Sequence, residues 1–331
     1  MNTMPWLVVG DGLAAHLVSH ALNSLHQKVT QIGYTLPGAA WPAAYGIINP
    51  IHIRTCSLAW AAEKTVPFAL DFYKTLATQN PQIPFFYPTK IHHYTQDQNE
   101  LTLWRQAFES SNAFRYITPE PNKITIEPAA YIDTPNLLST LKAENNTIHF
   151  INEIFNPLIL EKNNSGWQYQ ETLFMGVIFA EGYRVLQNPW FKALPLKPNK
   201  GQVAEVTYSG NPEPYLKHKQ GFFFPTDTNK GKVGSTYNRF DTTLEENSKD
   251  TAQLLLFTEH LAPQNARINK IHIGFRPASG DRRPVIGEHP LEKGLWILNG
   301  LGSRGLSLGP FYAMQLCNHL VSGSPIDKEV S

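Results

Sequence analysis

The sequence predicts an α/β fold: a Rossmann-like nucleotide-binding domain assembled from discontinuous segments, with an inserted α+β domain built on a mixed β-sheet. Three observations predict it. Near the start, the apolar run at residues 6–9 leads through Gly10-x-Gly12-x-x-Ala15 directly into a helical pattern. Near the end, the apolar run at 295–298 leads through glycines 300, 302 and 305 into another helical pattern. Between them lie β-rich blocks around 84–95 and 200–240, dense in aromatic and β-branched residues.

Composition narrows the class. A length of 331 residues suits about two domains. Hydrophobic residues at 42% and charged residues at 17% suit packed cores rather than disorder. A net charge of +1 gives no overall pull toward nucleic acid or an anionic membrane. No basic leader or membrane-length apolar run is found at the start. Cys56 and Cys317 stand alone, without metal-ligand spacing, and are expected as packed thiols in a reducing compartment. A soluble cytoplasmic protein with no metal centre and no membrane contact is expected. Oligomeric state is not readable.

In the first motif, Gly10 permits a tight turn, Gly12 lets a pyrophosphate approach the backbone, and Ala15 lets the helix pack on the strand. The unpaired N–H groups of Leu13, Ala14 and Ala15 would face the anion. The following strand should end in an acid that holds a ribose hydroxyl, but Gly33 stands there, and no acid occurs between Asp11 and Glu63. Either Tyr34 or Thr35 takes over, or nucleotide binding is weakened, or the motif holds no ligand at all. The first helix is expected to bury Ala14, Leu17, Val18, Ala21, Leu22 and Leu25, leaving His16, His20 and Asn23 on its outer face. The four-residue spacing of His16 and His20 permits a metal, but no third ligand is near, so solvent-facing histidines are expected.

The small-residue stretch 37–50 reads as a loop passing close to something. Helices are expected over 56–79, with a break near Pro67, and over 99–109, 134–143 and 244–261. Strands are expected over 147–151, 173–180, 270–275 and 295–298, with a final helix to about 321. These elements place 1–82, 133–193 and 271–331 in the nucleotide domain, and 83–132 and 194–270 in the inserted substrate domain.

The runs GFRPASGDRRPVIG at 274–287 and LWILNGLGSRGLSLGP at 295–310 resemble the closing signature of the FAD-dependent amino-acid and amine oxidases, a family that includes glycine oxidase, sarcosine oxidase and D-amino-acid oxidase. Segments 44–50, 194–202 and 232–237 resemble other parts of that family in the same order. The wording at 300–305 is especially similar to the oxidase domain of the bifunctional bacterial enzyme that modifies the tRNA wobble uridine. Gly33, and Glu181 between Ala180 and Gly182, depart from the family pattern.

The resemblance implies a non-covalently bound FAD, since no cysteine stands near Arg276. The cofactor would be contacted by Gly10, Gly12, Leu13, Ala14, Ala15, Tyr34, Ala40, Gly46, Ile47, Ile154, Gly182, Gly302, Ser303, Arg304, Gly305 and Leu306. It also implies oxidation of a carbon–nitrogen bond, with hydride passing to flavin N5, O2 as acceptor and H2O2 released. Arg276 would hold a substrate carboxylate, since a guanidinium matches a carboxylate in two parallel hydrogen bonds. Ile47, Asn49 and Tyr237 would share its pocket, and Tyr45, Phe223 and Phe224 would either wall it or simply fill a core. Lys232 matches a lysine that promotes reaction of reduced flavin with oxygen; its other reading is a solvated hairpin lysine beside Lys230. The expected partner is a small amine or amino acid. A tRNA substrate is the alternative, supported by Lys197, Lys200, Lys217, Lys219, Lys230 and Lys232, as is a relative that has lost its cofactor.

Overall fold

The computed structural model describes residues 4–95, 97–110, 112–144 and 147–331. The chain divides into two compact units. One comprises the segment up to Trp41, Pro135–Asn199 and Phe275–Ser331; the other comprises Pro42–Thr134 and Lys200–Gly274.

The first unit is built on a six-stranded sheet, and its order explains why distant motifs meet. The apolar strand Trp6–Val9 (β1) lies between Val29–Ile32 (β2) and Gly176–Phe179, parallel to both. His149–Ile151 extends the sheet beyond β2, and Leu295–Asn299 extends it beyond Gly176–Phe179, again in parallel. Val285–Glu288 closes that edge as an antiparallel strand. The four residues of β1 are all buried, as an unbroken apolar run in a parallel sheet should be. Beside this sheet, Leu160–Asn163, Gly166–Tyr169 and Thr172–Phe174 form an antiparallel meander. Its Trp167 and Tyr169 share a core with Phe179 and Phe191.

Helix α1 (Leu13–Ser24) buries Ala15, Leu17, Val18, Ala21 and Leu22, but also His16 and Ser19. The expectation that His16 faces solvent fails, because its ring is fully buried and reaches Asp11 and Gln31. His20 does lie toward the surface, 3.8 Å from Glu144, while Leu25 is only partly buried.

Most of a nine-stranded mixed sheet falls in the second unit; its strands Leu196–Thr207 and Arg267–Ser279 begin and end, respectively, in residues of the first. Its order is Arg267–Ser279, Leu196–Thr207, Lys230–Gly234, Gly221–Asp227, Leu216–Lys219, Phe86–Tyr94, Lys123–Ile132 and Ile47–Ile48, with Ile117–Glu120 also paired to Lys123–Ile132. Leu216–Lys219 runs parallel to Phe86–Tyr94, and the hairpins around it are antiparallel. Residues 42–82, expected with the nucleotide domain, cluster with this unit instead. The reason is pairing: Ile47 and Ile48 form a short strand against Tyr131 and Ala130. Helix Ala62–Gln79 follows and continues past Pro67 without the expected break; proline's place in the second turn removes a single internal hydrogen bond. Residues 56–61, expected as helix, are a short strand and turn.

Candidate functional site

The first motif forms the expected turn. Gly10 has φ of +138°, and a Cβ there would lie 2.5 Å from the Ala180 carbonyl oxygen, so only glycine fits against the neighbouring strand. At Gly12 the reverse holds: a Cβ would meet nothing within 4 Å, leaving open space over the helix start. Gly12 is the N-cap of α1, supplies no side-chain cap, and is followed by a first turn without an acid. The free N–H groups of that turn therefore face the space with the helix dipole behind them, an arrangement that suits an anion.

The second motif arrives at the same place. The short 3-10 turn Gly302–Arg304 leads into helix Gly305–Ser322, which also starts without a side-chain cap. A Cβ at Gly305 would lie 3.3 Å from Leu13 Cδ2, and one at Gly309 would lie 2.7 Å from Leu17 Cδ1. The two glycines let the last helix lie close against α1, so both helices begin side by side. Asn299 links this turn to the end of the adjoining strand: its Nδ2 donates to the Gly182 carbonyl at 2.9 Å, and its Oδ1 accepts from Gly300 N. Asn299 is not among the residues expected from the sequence; the signal for it is its place at the end of a strand bordering a glycine turn. Ser303 is exposed and Leu306 buried, while Ala40 is partly buried and Ile154 exposed. Within the family pattern, Glu181 is accommodated by turning to Asn188, whose Nδ2 donates to it at 2.7 Å. Burial pushes the Glu181 carboxyl up to about 7, against the opposing effects of Asn188 and Arg184.

Gly33 has a physical explanation. A Cβ there would lie 2.4 Å from the Gly10 carbonyl carbon and 2.7 Å from Asp11 N, so no acid can stand at this position. An acid is nevertheless present beside it. Asp11 receives Lys142 Nζ at 2.8 Å, His16 Nε2 at 3.2 Å and the Thr35 hydroxyl. Burial alone would raise its pKa, but these three donors and the lysine charge hold it well below the usual carboxylate range. Asp11, Gln31, Gly33, Lys142 and Phe150 line a cavity of about 200 Å³. Tyr34, offered by the sequence as a substitute, is 51% exposed, and it is Thr35 that joins the cluster.

Arg276 lies in the first unit on the strand Arg267–Ser279 and is partly buried. Its neighbour Phe275 fixes the backbone by donating from N to the Gly38 carbonyl at 2.9 Å and packing its ring on Tyr183. Ile47, Asn49, Tyr237 and Lys232 belong to the second unit. Gly46 there is tied to Ile132, and Asn49 accepts from Ile51 N. Tyr237 is 59% exposed, whereas Phe223 and Phe224 are core residues.

Lys232 is not a solvated hairpin lysine. Its ammonium lies 5.8 Å from the centre of the Tyr131 ring, and Tyr45 donates to its carbonyl. Burial lowers its pKa, while Asp133 and Glu205 act in the opposite direction. Of the six lysines expected to form a basic surface, Lys200 is wholly buried against Asp241, and Lys232 is withdrawn as described. The basic cluster is therefore smaller than the sequence suggests.

A central parallel strand, a glycine turn and two adjoining uncapped helix starts define a dinucleotide-binding protein of the Rossmann class. The chain belongs to the family of FAD-dependent oxidoreductases, whose family pattern matches residues 6–318. Among solved structures, iminodiacetate oxidase from Chelativorans sp. BNC1 superposes with a TM-score of 0.81 at 19% identity, covering 98% of both chains. Glycine oxidase from Geobacillus kaustophilus superposes at 0.78 and 19% identity, covering 97% of this chain and 95% of that one. These likenesses concern the fold. The tRNA 5-methylaminomethyl-2-thiouridine biosynthesis bifunctional protein MnmC of Aeromonas hydrophila is 26% identical over 380 residues, covering 97% of this chain and 56% of that protein. Its counterpart in Shewanella amazonensis is 28% identical over 190 residues, 45% of this chain and 28% of that protein. The chain thus spans at most about half the length of these curated relatives. Among the described residues no helix is long and apolar enough to cross a membrane.

Proposed function

We propose that this chain oxidises the carbon–nitrogen bond of a small amino acid or secondary amine, with O2 as acceptor and H2O2 as product. The carrying observation is the adjacency of the two uncapped helix starts at Leu13 and Gly305 within an FAD-dependent oxidoreductase. FAD supplies the electron-accepting ring for hydride removal from the carbon beside the amine.

The chain's own residues orient and polarise. The first turn of α1 holds the phosphates through backbone N–H groups. The Gly302–Arg304 turn offers further donors where negative charge gathers on reduction. Arg276 binds the carboxylate of the substrate and so fixes which hydrogen is presented. Lys232 keeps a cationic group in partly dehydrated surroundings, where it favours negative charge developing on oxygen. Iminodiacetate oxidase and glycine oxidase, the names of two structural neighbours, are compatible with such a substrate.

The purified protein should carry a flavin absorption band that bleaches anaerobically on addition of glycine, sarcosine or another small amine acid. A colourless protein that takes up no FAD would overturn the proposal.

The MnmC relatives motivate a second reading, removal of a glycine-derived group from a tRNA wobble uridine. The withdrawn Lys200 and Lys232 weigh against a broad phosphate-binding face. Salt-dependent tRNA binding, with flavin bleaching by modified tRNA but not by free amino acids, would favour it. Two free, buried cysteines suit the reducing cytoplasm under either reading.

A further inference from the structure

We propose that Asp11 and Gln31 together hold the ribose diol of the FAD adenosine, in place of the acid that ordinarily follows the second strand. The inference rests on the FAD reading above and concerns how this particular chain satisfies it.

Four observations carry it. First, the usual acid is excluded, because any side chain at Gly33 would strike the Gly10–Asp11 backbone. Secondly, a cavity of about 200 Å³ opens beside Gly33, with Asp11, Gln31 and Lys142 on its walls and Phe150 supplying an apolar surface. Thirdly, Gln31 is 2% exposed, and its Oε1 has no hydrogen-bond partner. Its Nε2 donates to the Gly10 carbonyl at 3.0 Å and lies within 3.5 Å of the His16 ring, which sets the amide's orientation. Fourthly, Asp11 is anchored on three sides by Lys142, His16 and Thr35, using three of the roughly four acceptor positions a carboxylate offers.

The site thus offers two acceptors: the remaining Asp11 lone pair and the orphaned Gln31 oxygen. Two acceptors match two vicinal hydroxyl donors. A buried acceptor without a donor is costly, so a ligand carrying hydroxyls gains by filling it. Lys142 serves a separate need. Its charge offsets that of Asp11, so an anionic carboxylate can stand one residue from the pyrophosphate turn without repelling it. His16 is a positioning residue: its ring contacts the Asp11 carboxylate and the Gln31 amide nitrogen, and it reaches the ligand only through those two side chains.

The test compares binding of three flavins to flavin-stripped protein by fluorescence titration: FAD, FAD whose adenosine ribose lacks its hydroxyls, and FMN, which has no adenosine. Wild-type protein should prefer FAD over the deoxygenated analogue by roughly 10–100-fold. Asp11→Asn should lose most of that preference while binding FMN as wild type does. The analogue leaves the protein unaltered, so a folding defect in the variant cannot decide the outcome. Equal wild-type affinity for FAD and the analogue would overturn the ribose assignment and leave the FAD reading standing. Failure to bind any of the three flavins would overturn both.

Discussion

Gly46 is pressed against the backbone of Ile132. Its carbonyl accepts from Ile132 N at 2.6 Å, and a Cβ built on it would lie 2.1 Å from the Ile132 oxygen. With φ of +88°, the residue also occupies a region that side chains disfavour. Gly46→Ala should destabilise the protein by about 2–4 kcal/mol, from backbone strain plus displacement of the sheet edge. Thermal denaturation of the variant would measure it, and an unaltered Tm would show that this edge yields freely.

Arg276→Ala should lower kcat/KM by about 2–5 kcal/mol toward a carboxylate-bearing amine, because a small substrate has few other handles. Arg276→Lys should recover only part of the loss, since an ammonium cannot form the paired contact. The decisive comparison uses the same amine without its carboxylate. If Arg276 binds that group, the decarboxylated compound should be equally poor for wild type and variant.

Lys232→Met should slow reoxidation of reduced flavin by oxygen roughly tenfold or more in stopped-flow measurements, with substrate reduction of the flavin little altered. Because burial lowers the lysine's pKa, the wild-type reoxidation rate should fall with rising pH earlier than an ordinary lysine would allow. A rate insensitive to both changes would exclude Lys232 from oxygen chemistry.

Glu181 makes a prediction about stability against pH. Its folded-state pKa of about 7 lies above the ordinary 4.5, so the folded protein holds a proton that the unfolded chain releases. The cost of ionising the carboxyl therefore grows as pH rises from about 4.5 to 7 and is complete above it. Glu181→Gln removes that cost while keeping an acceptor for Asn188. The variant should be more stable than wild type by about 1–3 kcal/mol at pH 8 and indistinguishable near pH 4.5. Equal stability at pH 8 would mean that Glu181 ionises without penalty.

The sequence disclosed the frame of the first unit because its signals are local. The apolar run at 6–9, the turn at Gly10 and Gly12 and the helix after it all fall within one short window, as do the strand at 295–299 and the helix from Gly305. What stayed hidden depends on partners distant in the chain. His16, on helix α1, reads as polar and outward until Gln31, on strand β2, and Asp11, in the turn, are brought beside it. Lys200 reads as surface charge until Asp241 closes on it at 2.7 Å. The 42–82 segment carries no mark of its allegiance until Ile47 finds Tyr131. Gly33 looked like a defect in the nucleotide motif, and the backbone packing that requires it is invisible to spacing alone.

The strand order of the first unit has a consequence for biosynthesis. By the time Gly274 has left the ribosome, every segment of the second unit has been made. Gly176–Phe179, by contrast, has β1 on one flank and still awaits Leu295–Asn299 on the other. Vectorial synthesis therefore completes the inserted unit first and leaves the nucleotide-binding sheet with a bare parallel edge until the final strand emerges.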